Sequence, residues 1–281
     1  MGIDFRPMLD AIERTARAAI KIEEGDYIQD GLLYCHKCGT PKQCRISFMG
    51  QERTPFCLCK CGKEQRDRED EEQRRREQFE RVEQLRRMGF PDAEMQGCTF
   101  DRDDGANEKV SSIARKYCEN FREMKARGKG LLFFGTVGTG KSYMAACIAN
   151  NLIDRGYPCL VTNFARLVNT IQGMFEGKQQ YLDNLSQFDL LIIDDLAAER
   201  DTEFMQETVT NIIDARYRSG LPMIVTTNLT AEELKNPVDV RKSRIYSRLL
   251  EMCVPIEVSG RDRRREMARE NRDDLAALLG L

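Results

Sequence analysis

Long apolar runs are missing from this chain. Nowhere do about 18 residues in succession stay apolar, so no segment is suited to cross a bilayer as a helix. The N-terminus also lacks the basic-then-apolar build of a secretory signal. A charge excess is missing as well: 44 Lys and Arg against 46 Asp and Glu leave a net −2. That balance excludes nucleic-acid binding through overall basic charge and leaves only local patches for it. Histidine is nearly absent, with His36 the single example. Together these absences lead us to expect a cytoplasmic protein with no membrane partner. In such a reducing compartment, the 11 cysteines argue for thiols or a metal site rather than disulfides. The 281 residues, 41% of them hydrophobic, suffice for one large domain or two unequal ones. The 32% of charged residues point to segments outside the core.

What is present centres on residues 130–142. The apolar run Leu131–Phe134 reads as a buried strand. It leads into Gly135-Thr136-Val137-Gly138-Thr139-Gly140-Lys141-Ser142, and Tyr143–Asn150 then reads as a helix. Strand, glycine-rich loop and helix form the context of a phosphate-binding P-loop. Glycines let the backbone wrap so that successive N–H groups face one anion, and the helix N-terminus adds its positive dipole end. Lys141 is expected to reach the β- and γ-phosphates, and the Ser142 hydroxyl to ligate Mg²⁺. A second motif follows about fifty residues later. Leu190–Ile193 is an apolar strand ending in Asp194-Asp195. In P-loop proteins such a strand lies beside the first, which predicts Asp194 as the Mg²⁺ holder and Asp195 as the group that orients or deprotonates the attacking water. The alternative for Asp195 is a helix cap. A third strand, Met223–Thr227, ends at Asn228, which could bond the γ-phosphate or that water, with Thr226 and Thr227 as rivals.

Strand candidates Leu131–Phe134, Cys159–Thr162, Leu190–Asp194, Met223–Thr227 and Val254–Val258 alternate with helical patterns at 107–127, 141–155, 163–175, 202–218 and 240–251. That alternation predicts an α/β fold with a parallel sheet covered on both faces.

The N-terminal third has another character. Apolar positions Ile3, Met8, Leu9, Ile12, Ala16, Ala19 and Ile20 predict an amphipathic helix within residues 3–24. Two Cys–Gly turns follow, Cys35-His-Lys-Cys38-Gly39 and Cys57-Leu-Cys59-Lys-Cys61-Gly62. Two close cysteine pairs are the ligand pattern of a structural Zn²⁺ site. Cys35, Cys38, Cys59 and Cys61 are the expected ligands, with Cys57 the substitute in the second pair and His36 facing solvent. So small a segment has little core, and metal binding would supply most of its folding free energy, on the order of 10 kcal/mol. From Lys60 to Arg87 the chain is almost wholly charged with mixed signs, which reads as a solvated helix. Phe79, Val82, Leu85 and Met88 form a narrow apolar edge before Gly89-Phe90-Pro91 breaks it. Three domains are therefore expected: residues 1–62, an N-terminal helix with a zinc module; 63–94, a charged helical linker; and 95–281, the nucleotide-binding domain.

The set Gly135–Ser142, Leu190–Asp195, Thr226–Asn228, Ile245-Tyr-Ser-Arg248-Leu-Leu and Gly260-Arg-Asp-Arg-Arg264 resembles the AAA+ ATPases of the DnaC/DnaI helicase-loader family, with the transposition helper IstB as a close relative. The likeness covers about residues 95–265. It implies a P-loop AAA+ sheet, ATP as the nucleotide, Arg248 as an arginine finger for a neighbouring subunit and Arg264 as a sensor arginine. It implies a DNA-binding loader that self-assembles through its ATP site, holds single-stranded DNA and partners a replicative DNA helicase in DNA replication. The chain departs from the pattern by carrying Asp195 where most AAA+ enzymes have Glu, which predicts slow hydrolysis, and by carrying Ala197 where Gly is common. Two other readings stay open: an IstB-like transposition ATPase, and a zinc adaptor in which nucleotide is a structural ligand with negligible turnover.

Overall fold

In a computed structural model, the structure describes residues 20–265 except 49, 91, 197–202 and 238, together with 14, 17, 268, 269, 272, 275 and 279. The chain forms two compact units, Met1–Phe79 and Glu80–Leu281.

The second unit is a five-stranded sheet in the order β6-β7-β8-β5-β9, every pair parallel. Its strands are β5 (Gly130–Phe134), β6 (Cys159–Asn163), β7 (Leu190–Leu196), β8 (Met223–Thr227) and β9 (Cys253–Glu257). These agree with the expected strands to within a residue or two. Their apolar runs are continuous because a parallel sheet is buried on both faces. Successive side chains divide between two cores as the two-residue period requires. Leu131, Phe133, Leu190, Ile192 and Ile224 join one core, whereas Leu132, Leu191, Ile193, Met223 and Val225 join the other. The first core is closed by α2 (Glu108–Glu119), α3 (Phe121–Ala126) and α4 (Lys141–Asp154), through residues such as Ala114, Phe121, Ile148 and Leu152. The second is closed by α5 (Phe164–Gln172), α7 (Glu203–Ser219) and α9 (Val240–Met252), through Leu167, Ile212, Ile213 and Leu249.

After β6, two short α-helices lie beyond what the sequence predicts. Helix α6 (Lys178–Asn184) has the polar sequence KQQYLDN, which shows no apolar period. Helix α8 (Ala231–Lys235) is fixed by a capping box between Thr230 and Glu233; the Thr-x-x-Glu pattern was there to be read. The pattern over 107–127 is two helices, divided at Asn120, whose side chain bonds back to the Lys116 carbonyl at 2.8 Å.

Helix α1 (Lys60–Gly89) is the charged helix. It carries the expected four-residue pairs, Gln65–Glu69 and Gln73–Glu77 at 2.9 Å among them. The compact unit that holds the sheet takes in the last turns of this helix, from Glu80. The physical reason is the apolar edge. Val82 and Leu85 pack on the first core, Arg86 pairs with Asp154, and Phe90 is buried, whereas Phe79 and Met88 stay exposed.

The first unit holds two hairpins, β1 (Tyr27–Gln29) with β2 (Leu32–Tyr34) and β3 (Ile46–Phe48) with β4 (Gln51–Arg53). The helix expected over residues 3–24 lies mostly outside the described residues. Its last part is corrected, because Ile20–Gly25 is not helical. There the Glu23 N–H donates to Asp26 at 2.9 Å and the Lys21 carbonyl accepts from Lys42 at 2.8 Å, which holds the chain out of a helical path. The segment 197–200, with Ala197, and most of the basic tail after 265 also lie outside the described residues. No helix among those described is long and apolar enough to cross a membrane.

Candidate functional site

The loop 135–140 joins β5 to α4 and opens into a cleft of about 220 Å³. Gly140 has φ 95° at the start of α4, a left-handed conformation natural to glycine. At Gly138, φ 79°, an added Cβ would lie 2.0 Å from an Asp262 carboxylate oxygen, so the segment after β9 can close on the loop only because no side chain is there. Lys141 is buried at 6% exposure, its ammonium donating to the carbonyls of Gly135 at 2.9 Å and Thr136 at 2.6 Å. Burial pulls its pKa down, with Asp195 and Asp194 resisting and Arg264 adding to the fall. A desolvated cation facing a glycine loop and a helix N-terminus suits a polyphosphate. Thr139 braces the loop through its hydroxyl on the Thr136 carbonyl at 2.9 Å, and Val137 is exposed at the tip.

The opposite wall comes from β7 and β8. Their register shifts between Ile193 and Leu196, and Asp195 has φ 61°. This irregularity has a chemical consequence. Neighbours on a regular strand point to opposite faces, but here Asp194 and Asp195 both line the cleft, since bulges re-aim side chains at strand ends. Asp is one of the few residue types that tolerate a left-handed backbone, which gives a local reason for Asp rather than Glu at 195. Thr226 ties the pair together: its hydroxyl donates to Asp194 Oδ1 at 2.6 Å and accepts from the Asp195 N–H at 2.8 Å. Asn228 donates its amide to Asp195 Oδ1 at 2.9 Å. Thr227 faces away and holds the Leu196 carbonyl at 2.8 Å. Burial and the neighbouring Asp194 raise the pKa of Asp195, with Lys141 and Arg264 opposing. A raised carboxylate beside a donor amide can orient or deprotonate a water. Ser142 and Asp194 share the cleft, and a hydroxyl with a carboxylate suits a hard divalent cation such as Mg²⁺.

Arg264 lines the same cleft. So does Arg263, which the sequence reading passed over as one of three adjacent arginines. Its N–H donates to the Gly138 carbonyl at 3.0 Å and its guanidinium pairs with Asp104 at 2.8 Å. Tyr143 is also a lining residue, its hydroxyl donating to the Thr99 carbonyl at 2.9 Å. Arg248 does not line the cleft. It lies on α9, paired with Asp214 and over the Tyr217 ring at 5.8 Å.

In the first unit the sulfurs of Cys35, Cys38, Cys59 and Cys61 all lie within 4.8 Å of one another. Zn–S bonds of about 2.3 Å would put the sulfurs of a tetrahedron about 3.8 Å apart; Cys35–Cys61 at 3.5 Å and Cys59–Cys61 at 3.4 Å are near that spacing. The donor set therefore fits zinc. Cys57 turns its thiol to the Pro41 carbonyl instead, at 3.7 Å. His36 is not among the gathered ligands and bonds Asp26 at 3.2 Å.

The model of the IstB-like ATP binding protein family matches residues 64–271. The replicative helicase loader DnaI of Bacillus subtilis (strain 168) is 24% identical over 210 residues, 68% of this chain and 66% of that protein. The replicative helicase loader DnaC of Escherichia coli (strain K12) is 30% identical over 146 residues, 50% of this chain and 58% of that protein. The chain thus spans less than two thirds of the length of these relatives. A crystal structure of DnaI superposes with a TM-score of 0.52 at 26% identity, covering 64% of this chain and 98% of that one. The parallel sheet and its P-loop are those expected of an AAA+ ATPase.

Proposed function

The chain belongs to the IstB-like ATP-binding protein family, and we propose that within it this protein is an ATP-dependent loader of a replicative DNA helicase onto single-stranded DNA. ATP binding drives side-by-side assembly, and hydrolysis drives release. The observation that carries the reading is the distribution of charge around the cleft. Lys141, Asp194, Asp195 and Arg264 meet in one subunit, while Arg248 stays outside its own site. With Arg248 of a neighbouring chain completing the site, nucleotide state and assembly become one equilibrium. The names of the relatives support the helicase as partner and replication as the setting.

In this mechanism the loop N–H groups from Gly135 to Ser142 and the Lys141 ammonium bind the phosphates, releasing Lys141 from its two carbonyls. Ser142 and Asp194 would hold Mg²⁺, which neutralises phosphate charge when bound. Thr226 keeps Asp194 from rotating. Asn228 fixes Asp195, which accepts a proton from the attacking water. Arg264 lies over the phosphates from the same chain, and Arg248 arrives from the next. A finger of this kind is worth about 10³–10⁵ in rate. Cys35, Cys38, Cys59 and Cys61 would hold Zn²⁺ as a structural ion, since four thiolates leave no position open to substrate. The single-stranded DNA would be held through its backbone phosphates, a salt-sensitive and sequence-tolerant mode.

Native mass spectrometry of the full chain mixed with its cognate replicative helicase, with and without ATP–Mg²⁺, tests the reading. A stoichiometric complex that needs intact Cys35 and Cys38 is expected. No complex in either nucleotide state overturns the loader, and the IstB-like transposition reading then takes its place.

A further inference from the structure

The surface of α9 that carries Arg248 is built more elaborately than an exposed arginine requires. Ile245, Tyr246, Leu249 and Met252 are buried and lock the helix down. Arg248 and Glu251, three apart, lie on one side of it, and Asp214 and Tyr217, also three apart, lie on α7. The two pairs meet. Arg248 Nη1 pairs with the Asp214 carboxylate, and the guanidinium rides over the Tyr217 ring at 5.8 Å. The Tyr217 hydroxyl donates to Glu251 Oε1 at 2.9 Å. Glu251 is the nearest acid along the helix that could capture Arg248, and Tyr217 holds it instead. A guanidinium has five donors in a planar fork. The ion pair engages Nη1, the ring supports a face, and the side chain remains 38% exposed.

We propose that Asp214 and Tyr217 are positioning residues for Arg248: Asp214 clamps one edge of the guanidinium and Tyr217 supports its face, so that the exposed edge enters a neighbouring subunit's nucleotide cleft already oriented. The inference rests on the reading that Arg248 completes the ATP site of a neighbour. A free arginine loses much rotamer entropy on being fixed. A charge held in place before the reaction costs no reorganisation when the transition state forms. The Asp214 carboxylate also balances the guanidinium's charge locally until the more highly charged triphosphate is brought to it.

Complementation tests this, because a finger and the site it serves lie on different chains. ATP turnover is measured with single-stranded DNA for full-length Asp214→Ala, Lys141→Ala and Arg248→Ala chains, alone and mixed. Asp214→Ala alone is expected to turn over roughly 10- to 100-fold more slowly, as misplacement of a catalytic group by about 1 Å does, with ATP affinity unchanged. Lys141→Ala alone is expected to be silent. Mixing these two should restore turnover, since Lys141→Ala chains offer a sound finger to the sound sites of Asp214→Ala chains. Tyr217→Leu should behave as a milder Asp214→Ala, and Asp214→Glu should recover part of the loss. Wild-type turnover in Asp214→Ala, or a silent mixture of Asp214→Ala with Lys141→Ala, overturns the inference. If Arg248→Ala mixed with Lys141→Ala is also silent, the shared-site reading itself falls.

Discussion

The two units of this protein are held together by different physics. The sheet unit buries two apolar layers, and β5 and β7 carry unbroken runs of Leu, Phe and Ile. In the Cys-rich unit, the buried positions among the described residues are Cys35, Lys42 and Cys59. One unit is stabilised by removing hydrocarbon from water. The other gathers four sulfurs around a point and ties a buried ammonium to a buried carboxylate, Lys42 to Asp26 at 2.6 Å. A fold of the first kind is robust to a lost ion and sensitive to lost packing. A fold of the second kind has the reverse weakness.

The largest effect should come from removing the metal. Chelation, or Cys35→Ser with Cys38→Ser, takes away a binding free energy on the order of 10 kcal/mol. Proteolysis between residues 20 and 60 should become rapid, while the urea transition of the sheet unit stays where it was. If protection of that segment survives complete chelation, the sulfurs do not hold a structural ion and the comparison breaks.

The counterpart in the sheet unit is Arg216. It is 2% exposed and donates to the carbonyls of Leu185, Phe188, Asp189 and Pro222, where the chain enters β7 and β8. Burial lowers its pKa to about 10, so it keeps its charge at neutral pH. Arg216→Leu leaves buried carbonyls without donors, and a loss of about 3–5 kcal/mol is expected in urea unfolding, as for a broken buried charge network. Zinc retention should not change. A loss below about 1 kcal/mol would mean that water replaces the guanidinium and that this unit tolerates polar loss better than its core suggests.

Arg216 also marks the limit of what the sequence reveals. Periodicity located the strands because burial on both faces leaves a continuous apolar record, and the P-loop because its glycines have fixed offsets. The four gathered cysteines were legible for the same reason of spacing. A buried arginine carries no such signature, since nothing local separates Arg216 from the exposed Arg218. The bulge at Asp195 was equally hidden, because "apolar run, then Asp-Asp" does not say that both acids turn to one face. Arg263 was obscured by its neighbours Arg264 and Arg265. Contacts made across the fold are decided by tertiary geometry, and a linear pattern records only the local part of it.

Asp26 sharpens the comparison at lower amplitude. Its carboxylate accepts from Lys42, from the Glu23 N–H and from His36, and these bonds hold its pKa far below the usual carboxylate range. A depressed folded pKa gives stability that is present above the unfolded value, about 3.9, and lost as pH falls further. Asp26→Asn should therefore weaken protection of the Cys-rich unit at pH 7 and narrow its difference from wild type as pH is lowered below about 4, read by hydrogen exchange at Tyr27–Tyr34. Equal protection at pH 7 would show that zinc alone holds the unit.

The smallest stability effect should have the opposite sign, and it falls in the P-loop cleft. Asp195 has a raised pKa, from burial and from Asp194 beside it. A raised folded pKa gives stability that is complete below the unfolded value and lost as pH rises through the folded one. Above its raised folded value the ionised Asp195 is therefore a net cost to folding. Asp195→Asn preserves the shape, tolerates the left-handed backbone and removes the charge. Thermal unfolding at pH 7 should move upward slightly, and the gain should shrink as pH falls toward the unfolded value, about 3.9. ATP turnover should fall by about 10²–10⁴, the range for loss of a general base. A variant less stable than wild type at pH 7 would show that the Asp195 charge is compensated by Lys141 and Arg264. The cleft would then resemble the Cys-rich unit, a site held together by its own charges, rather than a strained site carried by the apolar layers beneath it.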